Sequence, residues 1–232
     1  VRYFLDEAEE GQVPRAATDA AGRLDLTHQW SQELSYVEKN GHRGLRWAAA
    51  GANGGPGAFV SGTSLQAAIG GISALTLELV VEVEDWRDAA SGSMLFGITR
   101  PGVPTGVLAL AGRQDRLRTS WLESGGPRYD APTGRRSVVH VVVDTSRPEA
   151  ASRHQVFVDG ILVESDAGDP LPAQSALPEM GQAAFRLGNH VDDGRSIRGI
   201  LFYFALYADA LRPSEVERNA AWLRVRDDAD VD

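Results

Sequence analysis

The sequence predicts an all-β protein, a two-sheet antiparallel β-sandwich with one short C-terminal helix. Three observations carry that expectation. Residues 74–84, "ALTLELVVEVE", alternate strictly between apolar and mostly polar side chains, the period of a strand with one buried face. Apolar runs then recur along most of the chain, broken by Gly, Pro and Asp. Only one late stretch, opening at Pro213, has a helical start signal and a helical stripe.

The elements follow in order. Within 74–84, Leu75, Leu77, Leu79, Val81 and Val83 share one face, and Thr76, Glu78, Val80, Glu82 and Glu84 share the other. Residues 93–98 (SMLFGI), 106–112 (GVLALAG) and 116–123 (RLRTSWLE) are shorter strands separated by turn-forming residues. Residues 137–144, SVVHVVVD, are apolar on both faces apart from His140, as in a central strand. Pro148 cannot continue a ladder, so TSRPEAAS is a loop. HQVFV and ILVE flank Asp159-Gly160, a two-residue hairpin signal, because a type I′ turn needs positive φ at both central positions. Residues 183–189 and 198–208 are strands, and the second is nearly all apolar, as for a strand covered on both sides. Pro213 suits the first position of a helix. Glu215 and Glu217 lie near its positive end, and Val216, Ala220 and Leu223 make its narrow apolar stripe. Many strands and one late helix indicate a sandwich. GANGGPG (51–57) reads as a loop between strands, not a linker. Residues 1–223 are therefore expected to form a single domain, and 224–232 an acidic, disordered tail.

Composition narrows the functions. A chain of 232 residues fits one large all-β domain and can bury roughly 70% of its unfolded surface without staples. Without cysteine there is no disulfide framework, thiolate metal site or thiol nucleophile, although a large core permits secretion without disulfides. A net charge of −9 removes the general attraction to phosphate, so nucleic acid is not an expected partner. No apolar run reaches the roughly 18 residues of a membrane span. With Val1 first and no signal peptide visible, the sequence reads as a mature or excised piece. Oligomeric state is left open. The five histidines, His28, His42, His140, His154 and His190, show no H-x-x-x-H spacing. There is no G-x-S-x-G elbow, and GANGG is not followed by G-K-[ST]. No catalytic residue is assigned, and the chain is not expected to be an enzyme.

The ordered segments LTLELVVEVED, VVHVVVDTS, VFVDGILV, FRLGN and RGILFYFALYADALRPSEV resemble those of the laminin-G-like, or concanavalin A-like, jelly-roll domains. Bacterial members carry segments such as TLEAWV, HVAVVVD, LYVDGVLV, IGN and GTIDEVAIYDRALSPEEI. The opening YFLDEAEEGQVPRAATDAAG resembles the family's first strand and Asp-containing loop, and GLRWA stands where members have ALRFDG. The likeness runs from about Tyr3 to Leu223. It implies two packed antiparallel sheets and a non-catalytic module of a secreted or cell-envelope protein, with a glycan or an extracellular protein as partner. The alternatives are an assembly domain without a small ligand and, last, a glycoside hydrolase using strand carboxylates.

The resemblance also implies candidate sites. Many members hold calcium through an acid of the IDEV segment, but here Phe202 and Tyr203 stand at those positions, and Ala48 replaces the Asp of FDG. Calcium prefers several oxygen ligands, usually with carboxylates, so no cofactor is expected. Asn189 matches the family's GN, and the loop GNHVDDGRS offers Asn189, Asp192 and Asp193 as oxygen ligands should calcium bind, or as glycan-contacting groups. Its plain reading is a polar turn. Trp121 and Tyr129 are candidate sugar-stacking aromatics; core packing is the competing reading for Trp121, and Tyr129, in GGPRYD, is the better candidate for exposure. Trp30, Trp47, Trp86 and Trp222 read as core or rim. Some glucanases share this fold and need two carboxylates about 5 Å apart. Glu82 with Glu84 could form such a pair beside Glu78, but Val80 interrupts the pattern, so a solvated strand face is the expected role. Exchanging Glu82 and Glu84 for Gln is then expected to leave stability nearly unchanged.

Overall fold

The computed structural model of the chain describes residues 1–12, 16–22, 24–28, 34–47, 58–60, 69–85, 93–100, 103–113, 116–122, 124–130, 132–163, 170–178, 184–188 and 197–227. The strands begin with β1 (Arg2–Phe4), β2 (Ala16–Ala17), β3 (Leu26–His28), β4 (Leu34–Lys39), β5 (His42–Trp47) and β6 (Ala58–Val60). Longer strands follow: β7 (Ala74–Asp85), β8 (Ser93–Arg100), β9 (Val103–Arg113), β10 (Arg116–Trp121), β11 (Ser124–Asp130) and β12 (Arg136–Asp144). The series ends with β13 (His154–Val158), β14 (Ile161–Val163), β15 (Ala184–Leu187), β16 (Arg198–Tyr207) and the helix α1 (Pro213–Leu223).

These strands make two antiparallel sheets, as the alternation predicts. The first runs β14-β13-β12-β7-β16-β5-β4, with β1 also paired to β16. The second runs β11-β10-β9-β8-β15-β6-β3-β2. Non-sequential neighbours such as β12-β7-β16 mark the crossovers of a concanavalin A-like jelly roll.

The core lies between the sheets. Leu75, Leu77, Leu79, Val81 and Val83 of β7 all point into it, against Leu108 and Leu110 of β9 and Leu117 of β10. Each such side chain contributes about 1.5–3 kcal/mol on burial. Phe204 of β16 meets Phe96 of β8 and Phe185 of β15, each with ring centroids 5.5 Å away, so one aromatic cluster joins the two sheets.

The first sheet is also covered on its outer face. α1 lies there through Val216, Ala220 and Leu223, all buried. Val216 packs with Val142 and Phe157; Ala220 and Leu223 pack with Val80, Val138, Phe202 and Tyr203. This second covering explains why β16 is apolar on both faces. A bulge shifts the β16–β7 register between Leu201 and Tyr203. The extra residue puts Phe202 and Tyr203, consecutive in sequence, in the same outer cluster.

The Asp159-Gly160 hairpin forms as expected, with φ of 55° and 84° at the two turn residues. It also abuts the helix: a Cβ on Gly160 would lie 3.3 Å from the Ala220 Cβ and 3.4 Å from the Glu217 Cα.

Of the expected tail, 224–227 are described and 228–232 lie outside the described residues. Residues 224–226 are exposed, whereas Asp227 is fully buried against the first sheet. A histidine and an arginine hold this carboxylate. His42 Nδ1–H donates to Asp227 Oδ1 at 2.5 Å, and Arg136 Nε donates to Oδ2 at 2.8 Å. Arg136 also donates to the carbonyls of Leu223 (2.8 Å) and Arg224 (3.0 Å), satisfying the helix C-terminus. The loop 51–57 expected from the sequence lies outside the described residues.

Candidate functional site

The polar chemistry of the first sheet is concentrated on its outer face, under and beside α1. In the β12–β7 register His140 faces Glu78. Glu78 is buried and accepts four hydrogen bonds: His140 Nε2–H (2.8 Å) and Asn219 (2.9 Å) on Oε2, Tyr203 (3.0 Å) and Tyr207 (2.8 Å) on Oε1. With Nε2 donating, the buried Nδ1 of His140 is left without a partner. Burial pushes the Glu78 carboxyl upward. The hydrogen bond and charge of His140, joined by Asn219 and Tyr207, outweigh burial and hold it below the usual carboxylate range. The Tyr203 and Tyr207 phenols are pushed up, first by burial and then by the Glu78 charge. A carboxylate saturated by four donors is a structural centre tying α1 to β7, β12 and β16.

The other two acids of β7 are engaged as well. Glu82 pairs with Lys39 at 2.5 Å, its side chain only 7% exposed. Glu84 accepts from Arg46 (3.1 Å) and Arg198 (3.0 Å). The expected solvated face is therefore a chain of ion pairs. Glu82 is buried, but Lys39 is 44% exposed and keeps its water when the pair is removed.

The two candidate stacking aromatics lie inside the sandwich. Trp121 is fully buried, and its Nε1–H donates to Ser175 Oγ at 3.0 Å. Tyr129 is 2% exposed, contrary to the exposure expected of it. The reason is that GGPRYD belongs to strand β11, where Tyr129 faces the inward Leu117. Gly126 permits this pairing, because a Cβ there would lie 2.8 Å from the Thr119 carbonyl oxygen. The Tyr129 hydroxyl lies 2.7 Å from His154 Nδ1 and donates to the His154 carbonyl at 3.2 Å. Nδ1–H then donates to the hydroxyl, leaving only a lone pair unpaired at Nε2. Burial depresses the His154 pKa to about 3, so this imidazole is neutral in the folded protein.

Asn189, Asp192 and Asp193 lie outside the described residues, as do Ala48, Trp30 and Trp86. Phe202 and Tyr203, at the positions where the resemblance implies calcium-binding acids, sit in an apolar cluster, and an aromatic ring there does not fit an oxygen-ligand site. Among the described residues no group of three or more His, Asp or Glu side chains could hold a metal ion. Trp47 is core, whereas Trp222 is exposed.

The sequence reading overlooked the Glu78–His140 pair as a unit. Its signal was present in part: His140 alone interrupts the apolar run 138–143, and antiparallel pairing sets it opposite Glu78, one of several polar residues of β7.

No family model and no curated protein sequence matches the chain. Solved structures do. A mutant of Trypanosoma rangeli sialidase displaying trans-sialidase activity is 17% identical, with a TM-score of 0.66, over 99% of this chain and 34% of that one. The binding domain of botulinum neurotoxin DC, in complex with rat synaptotagmin II, is 7% identical, with a TM-score of 0.67, over 97% of this chain and 52% of that one. A structure of botulinum neurotoxin type C, whose cell entry depends on two ganglioside molecules, is 9% identical, with a TM-score of 0.67, over 96% and 51%. The chain thus spans about a third of the sialidases and half of the toxin structures. At these identities the likeness is one of fold alone: this chain shares a two-sheet β-sandwich with parts of those structures.

Proposed function

We propose that this chain is a non-catalytic binding module of the laminin-G-like type, secreted or carried in the cell envelope as part of a larger protein, that recognises carbohydrate or a protein surface without a cofactor. The observation that carries the reading is the engagement of Glu78, Glu82 and Glu84 in structural pairs. A glycosidase needs one carboxyl free to protonate and another free to attack, and these three are held by donors. The neighbours in structure, one a sialidase and others that bind synaptotagmin or depend on gangliosides, support a glycan or protein partner by analogy of fold.

The test is binding of the purified chain to a broad glycan and polysaccharide panel, with calcium and then with chelator. Specific binding that survives chelation is the expected result. Binding lost on chelation overturns the cofactor-free part. Hydrolysis of a panel member that disappears in the Glu82→Gln, Glu84→Gln double variant overturns the non-catalytic part.

A second reading, an assembly domain, is favoured by exposed apolar residues. Ile161 and Leu162 on the β14 hairpin are 71% and 52% exposed, and Val225 just past α1 is 73% exposed. Sedimentation showing a concentration-dependent oligomer, together with silence on the glycan panel, would favour it.

A further inference from the structure

The outer face of the second sheet carries an arrangement that folding alone does not require. In β10, Leu117, Thr119 and Trp121 point into the core, while Arg116, Arg118 and Ser120 face outward. The β10–β11 register places Arg118 directly opposite Arg128. Both are exposed, and among the described residues neither has an acidic partner. Directly opposed side chains on neighbouring strands have Cβ atoms about 4.5–5.5 Å apart, and like charges so placed repel. One step along the ladder, Arg116 faces Asp130 and pairs with it at 3.1 Å, so a compensating acid was available to the register but stands beside Arg116 instead. On the β9 side, Ala111 faces Arg118 and Ala109 faces Ser120, leaving small side chains beside the arginines.

We infer that Arg118 and Arg128 form an anion-binding pair that takes a carboxylate of an acidic saccharide, the sugar lying over Ala111 and Ser120. This deepens the binding-module reading and rests on its glycan branch. Two guanidinium groups can enclose one carboxylate, each offering paired N–H donors to its oxygens, and the bound anion removes the repulsion between them. The rest of the molecule decides what kind of polymer fits. A chain of net charge −9 repels densely charged polyanions, so a ligand with sparse charge, about one carboxylate per sugar, is favoured over a heavily sulfated or phosphorylated one. Ser120 supplies a hydroxyl to pair with a ring hydroxyl, and Ala111 leaves room for a ring.

The experiment is affinity electrophoresis of the whole chain in polygalacturonate, dextran sulfate and neutral dextran. It compares wild type, the Arg118→Gln, Arg128→Gln double variant and the Arg118→Lys, Arg128→Lys double variant. The arginines are surface residues, and unchanged melting temperatures certify the fold. The expected result is retardation of wild type by polygalacturonate, weakened at least tenfold in the Gln variant and partly retained in the Lys variant, with no retardation by neutral dextran. Equal retardation of wild type and the Gln variant overturns the site. So does stronger retardation by dextran sulfate, which reports charge density alone. If only neutral members of the wider glycan panel bind, the arginine site falls and the binding-module reading stands. If no glycan binds, the site falls together with the glycan branch on which it rests.

Discussion

Glu78 takes hydrogen bonds from side chains on β12, β16 and α1, so one carboxylate fixes the relative placement of three other elements. Removing its charge while keeping its shape leaves two phenols, an amide and an imidazole competing for a group that also donates. Glu78→Gln is expected to cost about 3–5 kcal/mol, the usual penalty for breaking a buried ionic centre, read from the midpoint of urea unfolding. A cost under about 1 kcal/mol would mean that the network contributes little. His154 sets a different dependence. Its folded pKa of about 3 lies below the ordinary 6.5, so below pH 6.5 the unfolded chain takes up a proton that the folded one refuses. Its contribution is complete above pH 6.5 and lost as pH falls toward 3, with a slope approaching about 1.4 kcal/mol per pH unit. Glu78, held low, acts in the same direction: its contribution is present above its ordinary value of 4.5 and lost as pH falls below it. Stability measured from pH 7 to pH 4 should fall more gently in His154→Phe than in wild type, and parallel curves would refute the assignment.

At the level of elements, α1 is held by its apolar stripe, by Asn219 on Glu78, and by the clasp of His42 and Arg136 on Asp227. Asp227→Ala removes the one fully buried member of the clasp while its partners keep some solvent. The expected loss is about 2 kcal/mol, below the figure for fully buried pairs because Arg136 and His42 are 18% and 21% exposed. An unchanged urea midpoint would show the clasp to be ornamental. What the sequence disclosed follows from the range of the forces involved. The β7 alternation, the Asp159-Gly160 turn and the helix from Pro213 are written in neighbouring residues, and the structure has them at Ala74–Asp85, at φ of 55° and 84°, and at Pro213–Leu223. The docking of Asp227 depends on residues 91 and 185 positions away, and no local pattern announces it. Tyr129 was misplaced because Gly-Gly-Pro reads as a turn, whereas here a glycine lets β11 bulge and stay paired. The bulge at Phe202 likewise breaks the alternation on which a reading of faces relies. The candidate site was less legible than the fold. The paired acids looked free because their cationic partners lie on other strands, and the Arg118–Arg128 pair exists only through register.

Over the whole molecule, the two sheets differ in what they face. The first is closed by the core on one side and, along β7, β12 and β16, by α1 and its clusters on the other. The second presents Arg118, Arg128 and Ser120 outward from β10 and β11. That division suits a module whose first sheet is scaffold and whose second can meet a partner. It also sets the clock for the backbone. Amide hydrogens in strands sealed on both faces reach solvent only when the whole fold opens, whereas those in a wetted hairpin escape through local fluctuation. In deuterium oxide the last protons to leave should be those of Leu77, Leu79, Val139 and Val141, together and at the rate of global unfolding. Those of β11 should be gone earlier, and simultaneous loss from both sheets would mean that the molecule opens as a single unit.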